Sequence, residues 1–168
     1  MAGPYELYLI RHGLAEARGE RWPDDTKRPL SEEGLSRLRK QARGLARLGV
    51  AFDVVLTSPL VRTRQTAEIV AAALEPRPPI ANIDSLAPDG SYQAVVAELE
   101  KHARRMRIAL VGHEPGIGEL AAWLIGARHP IEFKKGGACR IDVKALPPAG
   151  LGVLRWFLTP KVMRTLRK

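Results

Sequence analysis

Three runs of apolar, β-prone residues, at positions 6–10, 52–56 and 108–111, constrain this chain more than any other feature, because helical patterning separates each from the next. A strand covered on both faces needs continuous apolar character, and Glu6-Leu7-Tyr8-Leu9-Ile10 has it. Between the runs the period changes. Leu35, Leu38, Ala42 and Leu45 recur at helical spacing after Ser31, a helix cap, with Glu32 and Glu33 in the first turn and Gly49 at the end. Arg37, Arg39, Lys40, Arg43 and Arg47 fall mostly off that stripe, as a solvated face requires.

A second helix is expected to begin with Ser58 as cap and Pro59 at the first helical position, and to run to about Leu74. Pro76, Pro78 and Pro79 stop it. A third, opened by Gly90-Ser91, places Val95, Val96, Leu99 and Ala103 on one side, and a fourth carries Ile117, Leu120 and Leu124 from Pro115 toward Gly126. Residues 138–143 alternate and residues 152–158 read as another strand, with a turn at 146–150 between them. The fold class is therefore three-layer α/β/α, with a mostly parallel sheet and an antiparallel C-terminal edge. At 168 residues, one domain over positions 1–168 is the expectation. The segment 14–30 is long, charged and without period, which suggests either a functional lid or a mobile insertion.

Composition narrows the function classes. The longest apolar stretch, residues 120–127, falls well short of the about 20 residues that a membrane span needs. The start of the chain lacks a basic segment followed by an apolar one, so no export signal is expected and the cytoplasm is the expected compartment. Cys139 is alone, which excludes an internal disulfide and a cysteine-based metal cluster and leaves it as a small buried hydrophobe. A formal charge of +9 favours acidic partners. Basic residues gather at Lys101, His102, Arg104, Arg105 and Arg107 and again at Lys161, Arg164, Arg167 and Lys168. Each group is either a solvated terminus or a guide for a phosphoprotein. Trp22, Trp123 and Trp156 do not interleave with them as base-stacking platforms would, so packing is expected of these rings, with no nucleic-acid or membrane partner and a monomeric chain.

In open α/β sheets, ligands bind beyond the carboxyl ends of the strands. The first strand ends in Arg11-His12-Gly13, the second leads through Thr57-Ser58-Pro59 into a helix bearing Arg62, and the strand at 108–111 ends in Gly112-His113-Glu114. Two arginines and two histidines converge on one sheet edge. Guanidinium forks match phosphate oxygens and stay charged at any working pH. One histidine offers a nucleophilic nitrogen, and a second, protonated, can add a cation. Gly13 allows a sharp turn that brings backbone N–H groups toward an anion, and the helix start at Ser58 faces the same region. Arg62 leans back toward that start.

These pieces, Arg11-His12-Gly13, the block Ser58-Pro59-Leu60-Val61-Arg62-Thr63-Arg64-Gln65-Thr66-Ala67, and Val111-Gly112-His113-Glu114-Pro115, together resemble the histidine phosphatase superfamily, also called phosphoglycerate mutase-like. Within it, the short length, the segment from Asp25-Thr26-Lys27-Arg28-Pro29-Leu30 to Gly34, and Arg155-Trp156-Phe157-Leu158-Thr159-Pro160 resemble the SixA-type phosphohistidine phosphatases. The resemblance covers nearly the whole chain. It implies that His12 is transiently phosphorylated, that Arg11 and Arg62 bind the phosphoryl oxygens, that His113 completes the pocket, and that no metal or other cofactor is required.

Many ester-cleaving relatives carry a Glu or Asp that protonates the departing alkoxide in the region matching Asp84 to Ser91. Here Leu86-Ala87-Pro88 takes the SixA-like form, with Asp84 and Asp89 as candidate acids. An alkoxide wants general-acid help of about 10²–10⁴-fold, whereas imidazole leaves phosphorus far more readily. The departure suits phosphohistidine. Glu114 either acts as a further acid or charges the start of the next helix, and Asp24, Asp25 and Arg28 either line the entrance or are solvated. The expected activity is phosphate removal from a phosphorylated protein, such as a histidine-phosphotransfer-type domain. The alternatives are a broad small-molecule phosphomonoesterase, a mutase-like enzyme for which the chain lacks an evident acid, and a non-catalytic phosphoprotein-binding module.

Overall fold

Side chains that alternate along the apolar runs enter two different cores, one on each face of a single sheet. The computed structural model describes residues 4–166. Its elements are β1 (Tyr5–Arg11), α1 (Glu32–Arg47), β2 (Val54–Thr57), α2 (Val61–Ala72), β3 (Ile80–Asn82), α3 (Tyr92–Glu98), β4 (Arg107–Gly112), α4 (Gly116–Ile125), β5 (Ala138–Val143), β6 (Val153–Leu158) and α5 (Pro160–Leu166). The strands lie in the order β3-β2-β4-β1-β5-β6. Strands β1 to β4 are mutually parallel, β5 runs antiparallel to β1, and β6 antiparallel to β5. The three-layer architecture and its antiparallel edge thus follow the expectation.

The period-2 geometry of strands decides which residue faces which layer. Leu7, Leu9, Leu56, Ile108 and Leu110 pack with Val95 and Leu99 and with Ile117, Leu120 and Leu124 of α4. Tyr8, Ile10, Val55, Ala109 and Val111 pack instead with Ala42 and Leu45 of α1, Ala67 and Val70 of α2, and Met163 of α5. Cys139 is buried in β5 against the first of these cores, as its isolation suggested. Trp156 packs on the second core, whereas Trp123 is 40% exposed beside Tyr92. No helix among the described residues is long and apolar enough to cross a membrane.

Local chemistry moves several boundaries. Helix α2 starts at Val61, not at Pro59, and its cap position is Leu60 without a side-chain bond. Ser58 accepts from Leu60 N–H at 3.2 Å in a turn that precedes the helix. Ser31 and Ser91 do cap α1 and α3, accepting from Gly34 N–H and Ala94 N–H. Helix α3 ends at Glu98 and tightens into a 3-10 turn at Leu99–His102, so Ala103 lies beyond it. Strand β3 and helix α5 carry no period readable in the sequence. Both are short and owe their form to neighbours, β3 to pairing with β2 and α5 to packing on α1. Residues Arg167 and Lys168 of the basic tail and the first three residues lie outside the described range.

Segment 14–30 is neither periodic nor loose. Ala15 bridges Leu30, Ser31 N–H donates to Leu14 O at 3.0 Å, and a 3-10 turn at Asp25–Lys27 is capped by Asp24. Its far end is anchored by Leu30, which is buried.

Helix α5 touches α1 so closely that a Cβ at Gly44 would sit 2.0 Å from the Met163 carbonyl oxygen. Gly44→Ala gains about 1 kcal/mol of helix propensity but forces the backbones apart. Overpacking costs about 1–3 kcal/mol, more against backbone. A net loss of about 2 kcal/mol is expected from these opposed effects, read as a lower urea midpoint at unchanged slope; an unchanged midpoint would contradict the packing.

Candidate active site

The site is assembled by register. Arg11 pairs with Gly112 across β1 and β4, and each is followed directly by a histidine. His12 N–H donates to Gly112 O at 3.1 Å, which holds His12 beside His113, with ring centroids 5.1 Å apart. Ser58, one step beyond the end of β2, donates its N–H to Val111 O and so joins the same edge. Arg62 reaches that edge from the first turn of α2. Arg11, His12, Arg62 and His113 therefore line one open cleft of ≈ 510 Å³, together with Arg18, Arg28 and Glu114 among others.

His12 is buried, and its Nδ1 lies 2.7 Å from Gly13 O. A carbonyl can only accept, so Nδ1 carries the proton and Nε2 keeps the lone pair. Burial, helped by the guanidinium groups of Arg62, Arg11 and Arg28, brings the His12 pKa down to about 4. His113 is buried as well, and burial with the neighbouring His12 and Arg62 brings it down to about 3. The expectation of a protonated second histidine is corrected: both rings are neutral, because burial and the neighbouring arginines disfavour a further cation. An anion in the cleft would reverse that sign.

Ser58 and Gly13 serve the histidines more than the anion. Ser58 is fully buried and its Oγ meets His113 Nε2 at 2.9 Å, which fixes the ring. Gly13 gives its N–H to Thr66 Oγ1 at 3.1 Å and its carbonyl to His12. Neither its N–H nor a left-handed turn at Gly13 is available to an anion as the sequence suggested.

The cationic side of the cleft is built from guanidinium groups. Arg11 donates through one terminal nitrogen to Phe133 O at 2.7 Å. Arg62, 2% exposed, donates to Asp25 O at 2.9 Å and to Asp25 Oδ2 at 3.0 Å. Asp25 Oδ1 accepts from Arg28 Nε at 2.8 Å, and Arg28 also donates to Glu16 O at 2.8 Å. One carboxylate thus bridges two arginines. The Arg28 contact, then that of Arg62, holds the Asp25 carboxyl below its usual range. The Nε–H groups of Arg11 and Arg62 are buried and find no acceptor among the described residues.

Asp25 and Arg28 belong to the site, against the solvated reading of the sequence. Charge in an aperiodic segment gave no sign of direction, although the short spacing of the pair was visible. Asp84 and Asp89 are not brought to the cleft. Asp84 opens on a separate groove with Asn82 and Lys101, because the 3-10 turn at Asp84–Leu86 turns Leu86 inward and Asp84 outward. Asp89 is exposed, and Pro88 is the residue of this stretch that reaches the cleft wall. Glu114 does line the cleft while accepting from Gly118 N–H of α4 at 2.8 Å, so both of its readings hold in part. Burial raises its pKa against that hydrogen bond.

Residues 7–87 match the family model of the histidine phosphatase superfamily (branch 1). An uncharacterized protein of Picosynechococcus is 43% identical over 79% of this chain and 81% of its own length. Phosphohistidine phosphatase SixA of Escherichia coli is 27% identical over 92% of this chain and 94% of its own. A solved structure of the protein histidine phosphatase SixA complexed with tungstate superposes with a TM-score of 0.82 at 25% identity, covering 93% of this chain and 97% of that one.

Two outcomes are expected. Asp25→Ala leaves the buried Arg62 guanidinium unpaired and lowers stability by about 1–2 kcal/mol, between the values for exposed and buried pairs. In thermal melts, orthophosphate should restore the variant more than it stabilises the parent; equal shifts would count against an anion at this position. The second concerns pH. An unfolded histidine titrates near 6.5, and folded His12 near 4. The unfolded chain therefore binds more protons between these values, and stability falls as pH drops through that window. The ring resonances of His12 in a proton NMR titration should turn near pH 4; a midpoint near 6.5 would refute the assigned environment.

Proposed function

The chain belongs to the histidine phosphatase superfamily, and from that premise we propose that it is a metal-independent phosphatase that removes the phosphoryl group from phosphohistidine of a protein by way of His12. The observation that carries this reading is a neutral imidazole with a bare Nε2, set in a buried edge of guanidinium groups of which two, Arg11 and Arg62, keep a buried Nε–H without an acceptor among the described residues. Buried donors without acceptors are costly. Phosphoryl oxygens supply the missing acceptors and match the guanidinium fork.

The chemistry follows from those roles. His12 Nε2 attacks phosphorus, the P–N bond to the substrate imidazole breaks with its electron pair going to that nitrogen, and the imidazole, protonated from solvent at its other ring nitrogen, leaves neutral. Arg11 and Arg62 neutralise the charge on the transferred oxygens, with Arg28 behind them and His113 held in place by Ser58. Water then attacks phosphorus and gives up a proton to solvent, the bond to His12 breaks with its electron pair returning to Nε2, and orthophosphate departs. A carboxylate at Asp84 or Asp89 takes no part, since neither lines the cleft. Of the acid candidates only Glu114 lines the cleft, and it is engaged by Gly118 N–H, which fits a leaving group that needs little general-acid help. The similarity to SixA, whose name states phosphohistidine phosphatase activity, supports the same substrate class.

The test is a trapping experiment. The protein is mixed with labelled phosphohistidine protein, quenched in alkali and mapped by mass spectrometry. Alkali-stable, acid-labile phosphate is expected on His12. His12→Ala should retain its circular dichroism spectrum and lose phosphate release by at least three orders of magnitude, and a chelator should leave the parent rate unchanged. Full turnover by the variant, or label on another side chain, overturns the proposal.

A further inference from the structure

A second depression of ≈ 570 Å³ shares Arg11, Leu14 and Lys135 with the phosphoryl cleft and leads away from it between α1, the stretch before β5, and α5. It is lined by Arg37, Lys134, Lys135, Lys161 and Arg164, with Glu132 as its acidic member. Arg37 is paired with Glu33 on its own helix, and Lys134 lies 3.6 Å from Glu132. Among the described residues, Lys135, Lys161 and Arg164 have no carboxylate within ion-pair reach. Nothing in the phosphoryl-transfer chemistry uses these side chains.

We propose that this groove docks an acidic protein surface that surrounds the phosphohistidine of the substrate, so that specificity is read outside the cleft. The inference rests on the phosphatase reading above and adds the character of the partner. Three observations support it. The groove is continuous with the cleft, so a phosphohistidine on His12 places the flanking surface of its protein over these cations. The cations come from three separate stretches, and all but the half-buried Arg164 are exposed, Lys134 by 72% of its side chain, which suits broad attraction more than the enclosed grip a small ligand needs. Three of the five are lysines, hydrated point charges on flexible stems that favour encounter and not bidentate recognition. Long-range attraction of this kind acts on association rate and weakens with salt.

The test uses the double variant Lys161→Glu/Arg164→Glu of the full chain, with Lys161→Gln/Arg164→Gln as the milder form should the first fail to fold. Free phosphohistidine and a phosphohistidine-bearing domain with an acidic face are the two substrates. On the protein substrate, kcat/KM should fall at least tenfold in the charge-reversed form, less in the neutral form, and the dependence of the parent rate on ionic strength should flatten in both. Turnover of free phosphohistidine should stay within twofold. Equal losses on both substrates, or no loss on either, overturn the docking proposal while leaving the phosphatase reading intact. Loss confined to inorganic tripolyphosphate, or to duplex DNA binding at physiological salt, assigns the groove to another ligand and also overturns it. Failure of the parent to turn over either substrate instead removes the phosphatase reading, a separate result.

Discussion

Parallel pairing of β1 with β4, and of β4 with β2, is the constraint from which the site follows. Register along the first pair sets Arg11 opposite Gly112 and therefore His12 beside His113. The second pair brings Ser58 to the same edge, where its hydroxyl holds the His113 ring. Slipping either pairing by one residue would turn every side chain of a strand to the opposite face. The two apolar cores oppose that slip, because Leu7 and Leu9 belong to one and Tyr8 and Ile10 to the other. Burial that stabilises the sheet thus also aligns the groups that act at its edge.

Concentrating guanidinium groups there has an electrostatic cost, and segment 14–30 answers it. Arg62 and Arg28 are nearly inaccessible and would repel one another without Asp25 between them. Burial, with repulsion from the arginines added to it, keeps the two histidines neutral. A carboxylate and a phosphoryl oxygen offer alike geometry to an arginine fork. Asp25 is accordingly both the counter-charge of Arg62 and Arg28 and a group that an incoming anion must outcompete or share.

Much of this was legible in the sequence, and the reasons differ by element. Arg11, His12 and His113 stand at the ends of strands marked by apolar runs, and Arg62 in the first turn of the helix that follows another, so position along the chain sufficed to bring them together. The alternating stretch Ala138–Val143 became β5 because period 2 survives in an antiparallel edge. Strand β3, with three residues, and helix α5, with seven, are too short to establish a period, and tertiary contact decides them. Asp25 and Arg28 could not be read because their roles depend on a guanidinium 37 positions away in the chain from Asp25. Ser58 was identified as a site residue, but its hydroxyl orients an imidazole and does not start a helix. The acid candidates Asp84 and Asp89 failed for a local reason, the 3-10 turn that points one of them outward.

The hydrogen bond from His12 to the carbonyl of its own neighbour carries one more consequence. A neutral imidazole with its Nδ1 proton tied to the main chain has a single basic nitrogen left, so any electrophile that His12 captures can bond at one atom alone. The adduct would be regiochemically pure, the tele isomer and not the pros isomer, by the tautomer that the backbone selects before substrate arrives.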